Sequence, residues 1–321
     1  MCRARFFICP MSKNIVDSVI EMNTPLLGLL PSLRQVDYNC GYVNNWNTET
    51  FYEYVRNKSN ILIQRDHAGI GQGYNDQYDS FTYDSKYMDI IHIDPWKHYP
   101  FFEDGLTETI RNINYIYNLN PKVKYEIGTE ESLRRFEVKE LVELIGELNI
   151  ELTRSQFNNI EYVCIQSGVG LDLVNRKNTG KFSLERLRMM NEICKKFNKK
   201  SKEHNGDYLS KEDILIRFDN DLNSLNIGPE IAQIETSVYL DIMTNSEMDE
   251  FYQICLDSKK WEKWVTPDFD INDKEKLITV CGHYNFNKLN TRFNNLSAFD
   301  DINNIVKEKI KDKLKELLSY V

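Results

Sequence analysis

Short, nearly all-apolar runs recur along the chain at residues 5–9, 61–64, 89–93, 123–127, 162–165 and 225–227. Between them lie stretches with apolar residues at helical spacing: 14–22, 49–58, 105–117, 138–148, 183–197 and 229–243. Unbroken apolar runs are what strands buried on both faces require, and their alternation with amphipathic helices is the pattern of βα units around a parallel sheet. Ser183 opens one of these helices, with Leu184, Leu187, Met190, Ile193 and Cys194 on one face. Pro229 suits the first turn of another, where its missing N–H costs nothing. The tail, 300–321, places Ile302, Ile305, Ile310 and Leu314 among lysines, as a charged helix packed on the body does. Six or seven such units without a dividing linker predict a (β/α)8 TIM barrel with extra C-terminal helices. The run Gly69-Ile70-Gly71-Gln72-Gly73 lacks the glycine spacing of a dinucleotide-binding turn, which counts against a doubly wound sheet. The expected division is a barrel core over 1–245 and a C-terminal helical extension over 246–321 packed on it. Within that extension, 245–298 is rich in Trp, Asp and Asn and departs from the barrel rhythm.

Charge narrows the class of partner. The 321 residues carry 40 Lys and Arg against 49 Asp and Glu, a net charge of −9. That balance disfavours general binding to nucleic acid or to an acidic membrane, because phosphate attracts Lys and Arg. The apolar run at 25–31 is far below the roughly 20 residues of a membrane span. The apolar stretch at the N-terminus is too short for a signal peptide and is interrupted by Ser12-Lys13-Asn14. Seven cysteines without a CxxC pair point to a reducing compartment rather than a disulfide framework, so a cytoplasmic protein is expected.

In a barrel of this kind, chemistry gathers where strands end and loops begin. The strand ends here are polar: Arg65-Asp66-His67, His92-Ile93-Asp94, Thr129-Glu130, Gln166-Ser167-Gly168, His204-Asn205-Gly206-Asp207 and Asn226-Ile227-Gly228. Three of the five histidines, His67, His92 and His204, fall at them. Imidazole with carboxylate is a common ligand set for a divalent metal, and His67, His204 and Glu130 make a three-ligand set with open positions. Asp66 would point away from His67 in a regular strand and could serve as an acid/base group. Each histidine read alone is better explained by a hydrogen-bonded packing role at a strand end; it is the three together that point to a site. Gly168 and the Gly228–Pro229 junction offer backbone N–H groups to an anion such as phosphate, or are simply tight turns. Arg65 is a candidate for a carboxylate or phosphate, Lys97 for a Schiff base, and Cys164 reads as core.

Taken in order, these strand ends resemble class II, metal-dependent ketose-bisphosphate aldolases, and most closely the Z-subunit group of the tagatose-bisphosphate aldolases. The resemblance runs over roughly residues 60–245. It implies Asp66 as proton carrier, His67 and His204 as ligands of a divalent metal, expected to be zinc, and Asn226 as a catalytic contact to the ketose. It implies Gly228 as part of a phosphate cradle and leaves His92, Asp94, Gln166 and Asp207, with Arg65 and Gly168, as further substrate contacts. Catalytic aldolases carry a further histidine where Gln166-Ser167 stands here, and the Z-subunit group shares that loss. The expected function is therefore a metal-dependent, aldolase-type lyase acting on a sugar phosphate through an enediolate. An epimerase using the same enediolate, a non-catalytic subunit stabilising an aldolase partner, and a sugar-binding barrel without turnover are the other readings. A homo-oligomer or an aldolase partner subunit is the expected assembly.

Overall fold

The computed structural model describes residues 4–293 and 299–321. Met1, Cys2 and Arg3 of the N-terminal stretch, and the end of the 245–298 segment, lie outside the described residues. The strands are β1 Phe6–Ile8, β2 Leu27–Leu29, β3 Leu62–Ala68, β4 Ile90–Ile93, β5 Lys124–Ile127, β6 Ile160–Ile165, β7 Leu171–Asp172, β8 Lys177–Asn178, β9 Lys200–Glu203 and β10 Ser224–Ile227. Eight of them close into an all-parallel barrel in the order β1-β10-β9-β6-β5-β4-β3-β2, while β7 and β8 form a small antiparallel hairpin beyond β6. The predicted (β/α)8 TIM barrel is therefore present, with extra C-terminal helices. The last of these, Phe299–Leu318, packs along the first helix, Lys13–Glu21, where Lys307 and Lys311 both meet Glu21.

Two barrel strands carry no clear apolar signal. β2 is only three residues long and lies between two prolines, Pro25 and Pro31. β9 reads Lys-Ser-Lys-Glu, yet all but its first residue are buried. The helices Gln77–Tyr87 and Lys211–Asp219 are likewise too polar to stand out from the pattern. Asp76 and Ser210 hold them by accepting from backbone N–H groups of their first turns.

Side chains alternate in and out along each strand, and the interior fills in layers as TIM barrels do. The lower layer is apolar: Phe7, Ile90 and Tyr162 pack together with Ala4 and Leu30. Gly28 is glycine for a packing reason, since a Cβ there would lie 2.7 Å from the Phe7 ring that crosses the barrel. Above it sits a polar layer. Lys202 Nζ donates to Gln64 Oε1 at 2.8 Å and lies 3.1 Å from Glu126 Oε2, and Gln64 Nε2 donates to the same carboxylate. Lys202 Nζ also rests 3.6 Å from the centre of the Phe7 ring, a cation–π contact that joins the two layers. The top layer is the cluster described next. The outer faces of the strands and the inner faces of the helices make the main hydrophobic core.

Candidate active site

At the C-terminal end of the barrel three imidazoles form a triangle, with ring centres 4.9 Å (His67–His92), 5.0 Å (His67–His204) and 4.9 Å (His92–His204) apart. Each ring has one nitrogen turned outward to an oxygen that can only accept. His67 Nδ1 donates to Asp94 Oδ2 at 2.5 Å, His92 Nε2 to the Gly128 carbonyl at 3.0 Å, and His204 Nε2 to Glu126 Oε1 at 2.7 Å. The proton of each neutral imidazole is thereby fixed on the outer nitrogen, which leaves a lone pair on the inner one. The 3.4 Å approach of the His67 backbone N–H to His92 Nδ1 agrees with that assignment.

The inner nitrogens face two carboxylates. Asp66 Oδ1 lies 3.6 Å from His67 Nε2 and 3.8 Å from both His92 Nδ1 and His204 Nδ1. Glu130 Oε2 lies 3.6 Å from His67 Nε2 and 3.8 Å from His204 Nδ1. These separations are too long for hydrogen bonds, and Asp66 Oδ1 is buried without a hydrogen-bond partner. They are close to the about 3.4 Å that separates two ligands of one tetrahedral ion with bonds near 2.1 Å. One ligand atom from each of Asp66, His67, His92 and His204 lies within 4.8 Å of all the others. The outer carboxylates and carbonyl complete the arrangement that orients metal-bound histidines. The donor set fits a divalent cation.

The electrostatics point the same way. Burial alone would lower the His67 pKa, but Asp66, Asp94 and Glu130 outweigh it and hold it well above the usual imidazole range. His92 is raised too, where Glu126 and Asp66 overcome burial. Burial would raise the carboxyl of Asp66, yet the three imidazoles hold it below its ordinary value. Excess negative charge thus draws protons onto His67 and His92, as a centre built for a cation does.

A local irregularity brings Asp66 and His67 together. Neighbours on a regular strand point to opposite faces. Here the β3–β4 register shifts between Arg65 and Ala68, and His67 takes a left-handed φ of 42°. Both side chains therefore turn into the mouth, at the cost of backbone strain of the kind stored at functional sites.

The mouth opens into a cavity of about 260 Å³ lined by Asp66, His67, Glu130, His204 and Asn226, among others. Asn226 projects its amide into it with neither polar atom satisfied, although the residue is buried. Glu130, expected at the metal, faces the imidazoles and is held further in place by Asn205 Nδ2 at 2.7 Å. His92, expected to touch substrate, instead completes the imidazole triangle, and Asp94, expected there too, accepts from His67 Nδ1. The sequence signal for His92 was its shared position at a strand end.

Other candidates lie elsewhere. Arg65 is fully buried behind the barrel wall, bonded to Asp84 at 2.7 and 2.8 Å and to the Pro31 and Val36 carbonyls, so it is not a substrate contact. Gln166 is also buried, donating to the Thr129 and Arg134 carbonyls and accepting from the Phe136 N–H. It shapes the loop after β5. Gly168, with φ of 106°, allows two loops to approach: a Cβ there would stand 2.1 Å from the Lys181 carbonyl oxygen. Its neighbours' N–H groups are already taken, Ser167 by Glu203 and Gly170 by Asn178. Asp207 lines the cavity but its Oδ1 is already engaged, accepting from the N–H groups of Gly228 at 2.9 Å and Glu230 at 2.8 Å. Burial, then the charge of Glu230, pushes its carboxyl up to about 7. Lys97 lines the cavity and donates to the Gly71 carbonyl at 2.9 Å.

The closed parallel barrel with its polar C-terminal mouth is a (β/α)8 TIM barrel. No family sequence model matches the chain, and no curated protein matches it by sequence. Solved structures share its architecture. A probable tagatose 6-phosphate kinase from Sinorhizobium meliloti is 13% identical, with a TM-score of 0.72 over 99% of each chain. A fructose-bisphosphate aldolase from Campylobacter jejuni is 10% identical, with a TM-score of 0.59 over 99% of this chain and 89% of that one. The fructuronate-tagaturonate epimerase UxaE from Cohnella laeviribosi is 11% identical, with a TM-score of 0.59 over 98% and 81%. These are the kinds of structure the sequence resemblance led one to expect, and at such identities the likeness establishes the fold. Among the described residues, no helix is long and apolar enough to cross a membrane.

Proposed function

We propose that the protein is a divalent-metal-dependent lyase of the aldolase type acting on a phosphorylated ketose. The observation that carries this reading is the convergence of three inward-facing imidazole nitrogens and two carboxylates at the floor of a cavity that also holds the unpartnered amide of Asn226. His67, His92 and His204 would hold the cation, with Glu130 beside them. When bound, the cation would polarise the substrate carbonyl and stabilise the enediolate that carbon–carbon cleavage leaves. Asp66 is ionised at neutral pH and its Oδ1 is free, so it takes the proton of the hydroxyl next to the breaking bond; in the condensation direction it returns that proton. Asn226 orients the sugar hydroxyls. Structures named for both aldolase and epimerase chemistry share the fold, and the same carboxylate serves either, but no residue here favours epimerisation over cleavage.

The test pairs metal content with turnover. His67→Ala is expected to lose the bound divalent cation. Asp66→Asn is expected to keep it while cleavage of ketose phosphates falls by about 10²–10⁴-fold. A protein that takes up no divalent cation, or an Asp66→Asn variant with undiminished turnover, would refute the proposal.

A further inference from the structure

A phosphorylated substrate needs a place for its phosphate, and the expected cradle is closed. The N-terminus of the helix Pro229–Ile242 is already occupied by a carboxyl group of the chain itself, since Asp207 Oδ1 accepts from both the Gly228 and the Glu230 N–H groups. A helix N-terminus attracts anions because its first N–H groups lack partners; here they have one. The loop after β6 is closed in the same way, with the Ser167 N–H and Oγ donating to Glu203 and the Gly170 N–H donating to Asn178.

Positive charge collects elsewhere on the same cavity. Arg34 comes from the loop after β2, Lys97 from the loop after β4, and Lys263 from the short 3-10 turn Glu262–Trp264 in the C-terminal extension. All three line the cavity that Asp66, His67 and Glu130 line. In a chain of net charge −9 they lie far apart in sequence and are brought together only by the fold. Among the described residues none of the three lies within 4.0 Å of a carboxylate oxygen of an ion-pair partner, whereas the lysines of the last helix are paired with Glu21 and Glu230. Arg34 Nε is buried and has no hydrogen-bond acceptor. The cations also feel one another: burial, then Arg34, Lys260 and Lys97, push Lys263 down to about 8. Burial and Arg34 lower Lys97 in turn. Like charges gathered at a cavity mouth repel one another and an anion that joins them relieves that repulsion, and three donors of this kind match a dianion.

We propose that the substrate's phosphate is held by Arg34, Lys97 and Lys263 at the cavity mouth, and not at the N-terminus of the helix Pro229–Ile242. The inference rests on the aldolase-type reading for the carbonyl end of the substrate, which lies at the imidazole cluster. It adds that the substrate carries a phosphate monoester at the end remote from its carbonyl.

The test is calorimetric titration of the full chain, as purified, with inorganic phosphate and with acetate. The expected result is saturable phosphate binding that weakens about 10-fold or more in Arg34→Gln and in Lys263→Gln. Urea unfolding of both variants beside the parent checks that each is folded before its affinity is read. Acetate should bind at least 10-fold more weakly than phosphate, and Asp207→Asn should leave phosphate affinity unchanged. The proposal is overturned if both cation variants bind phosphate as the parent does, or if acetate matches phosphate, which would mark a carboxylate site. A gain of affinity in Asp207→Asn would put the phosphate on the helix N-terminus and would also overturn it. The two readings fail separately. Phosphate binding that depends on Arg34 and Lys263 in a protein that cleaves no ketose phosphate sustains the subsite and refutes the lyase. Cleavage of unphosphorylated ketoses with no dependence on those cations does the reverse.

Discussion

Glu126 links the polar interior of the barrel to the imidazole cluster, so replacing it by glutamine separates two consequences. Its Oε1 accepts from His204 Nε2 at 2.7 Å, while its Oε2 faces Lys202 Nζ at 3.1 Å, and both side chains of the ion pair are fully buried. Burial would raise this carboxyl, but Lys202, His92 and His204 hold it well below the usual range, so it is a charge the fold requires. Glu126→Gln leaves the Lys202 ammonium buried without its counter-ion, a loss that costs about 3–5 kcal/mol. The same change weakens the acceptor behind His204, and losing such an outer partner typically lowers metal affinity about 10–100-fold. The double variant Glu126→Gln/Lys202→Met removes both charges. Most of the stability should return, because no buried charge is then left unpaired, but the metal affinity should not, because His204 still lacks its carboxylate. Urea unfolding of the metal-free proteins measures the first quantity, and competition with a chromogenic chelator the second. If the double variant recovers metal affinity together with stability, Glu126 acts only through the fold and its proposed role behind His204 is wrong.

Arg65→Met should destabilise the protein by about 3–5 kcal/mol in urea unfolding, because it strands Asp84 in a site where neither side chain is exposed. Metal affinity should not change, and a fall in it without loss of stability would return Arg65 to the active site. Asp207 is predicted to make stability depend on pH. Its folded value of about 7 exceeds that of an unperturbed aspartate, about 3.9, so the folded state holds the extra proton. The group's contribution is therefore full at low pH and is lost as pH rises from about 4 to about 7, a total of about 4 kcal/mol. The stability of the parent relative to Asp207→Asn should fall over that window; a difference that stays flat from pH 4 to pH 8 would show that Asp207 is not held protonated.

Much of the barrel could be read from the chain because a parallel strand buried on both faces must be apolar, and six of the eight barrel strands lie at or overlap such runs. The phase of those strands also fixes which way Arg65 points. Gln64 and Asp66 point inward, so Arg65 between them must point outward, and its pairing with Asp84 on the helix Gln77–Tyr87 follows from that alternation. The alternation fails at His67, where the register shift and the left-handed backbone add a second side chain to the same mouth. No periodicity encodes that step. The cluster of Arg34, Lys97 and Lys263 was hidden for a different reason, since each lies in a separate connection and only closure of the barrel makes them neighbours.

The strand that sequence patterning hides most completely explains why the interior departs from an apolar filling. A buried ion pair such as Lys202–Glu126 is on its own weak support for a fold, because well-packed apolar residues of similar size often do as well or better. Here the carboxylate has a second task, since one oxygen meets Lys202 and the other fixes the tautomer of His204. An apolar residue at 126 would leave His204 Nε2 without its acceptor and its ring without orientation. Lys202 is then required to keep that carboxylate ionised at the centre of the barrel, and Gln64 takes up the bonding capacity that remains. The polarity of Lys200–Glu203 is in this sense a property of the site rather than of the barrel, and it reaches one layer below the residues that touch the substrate space.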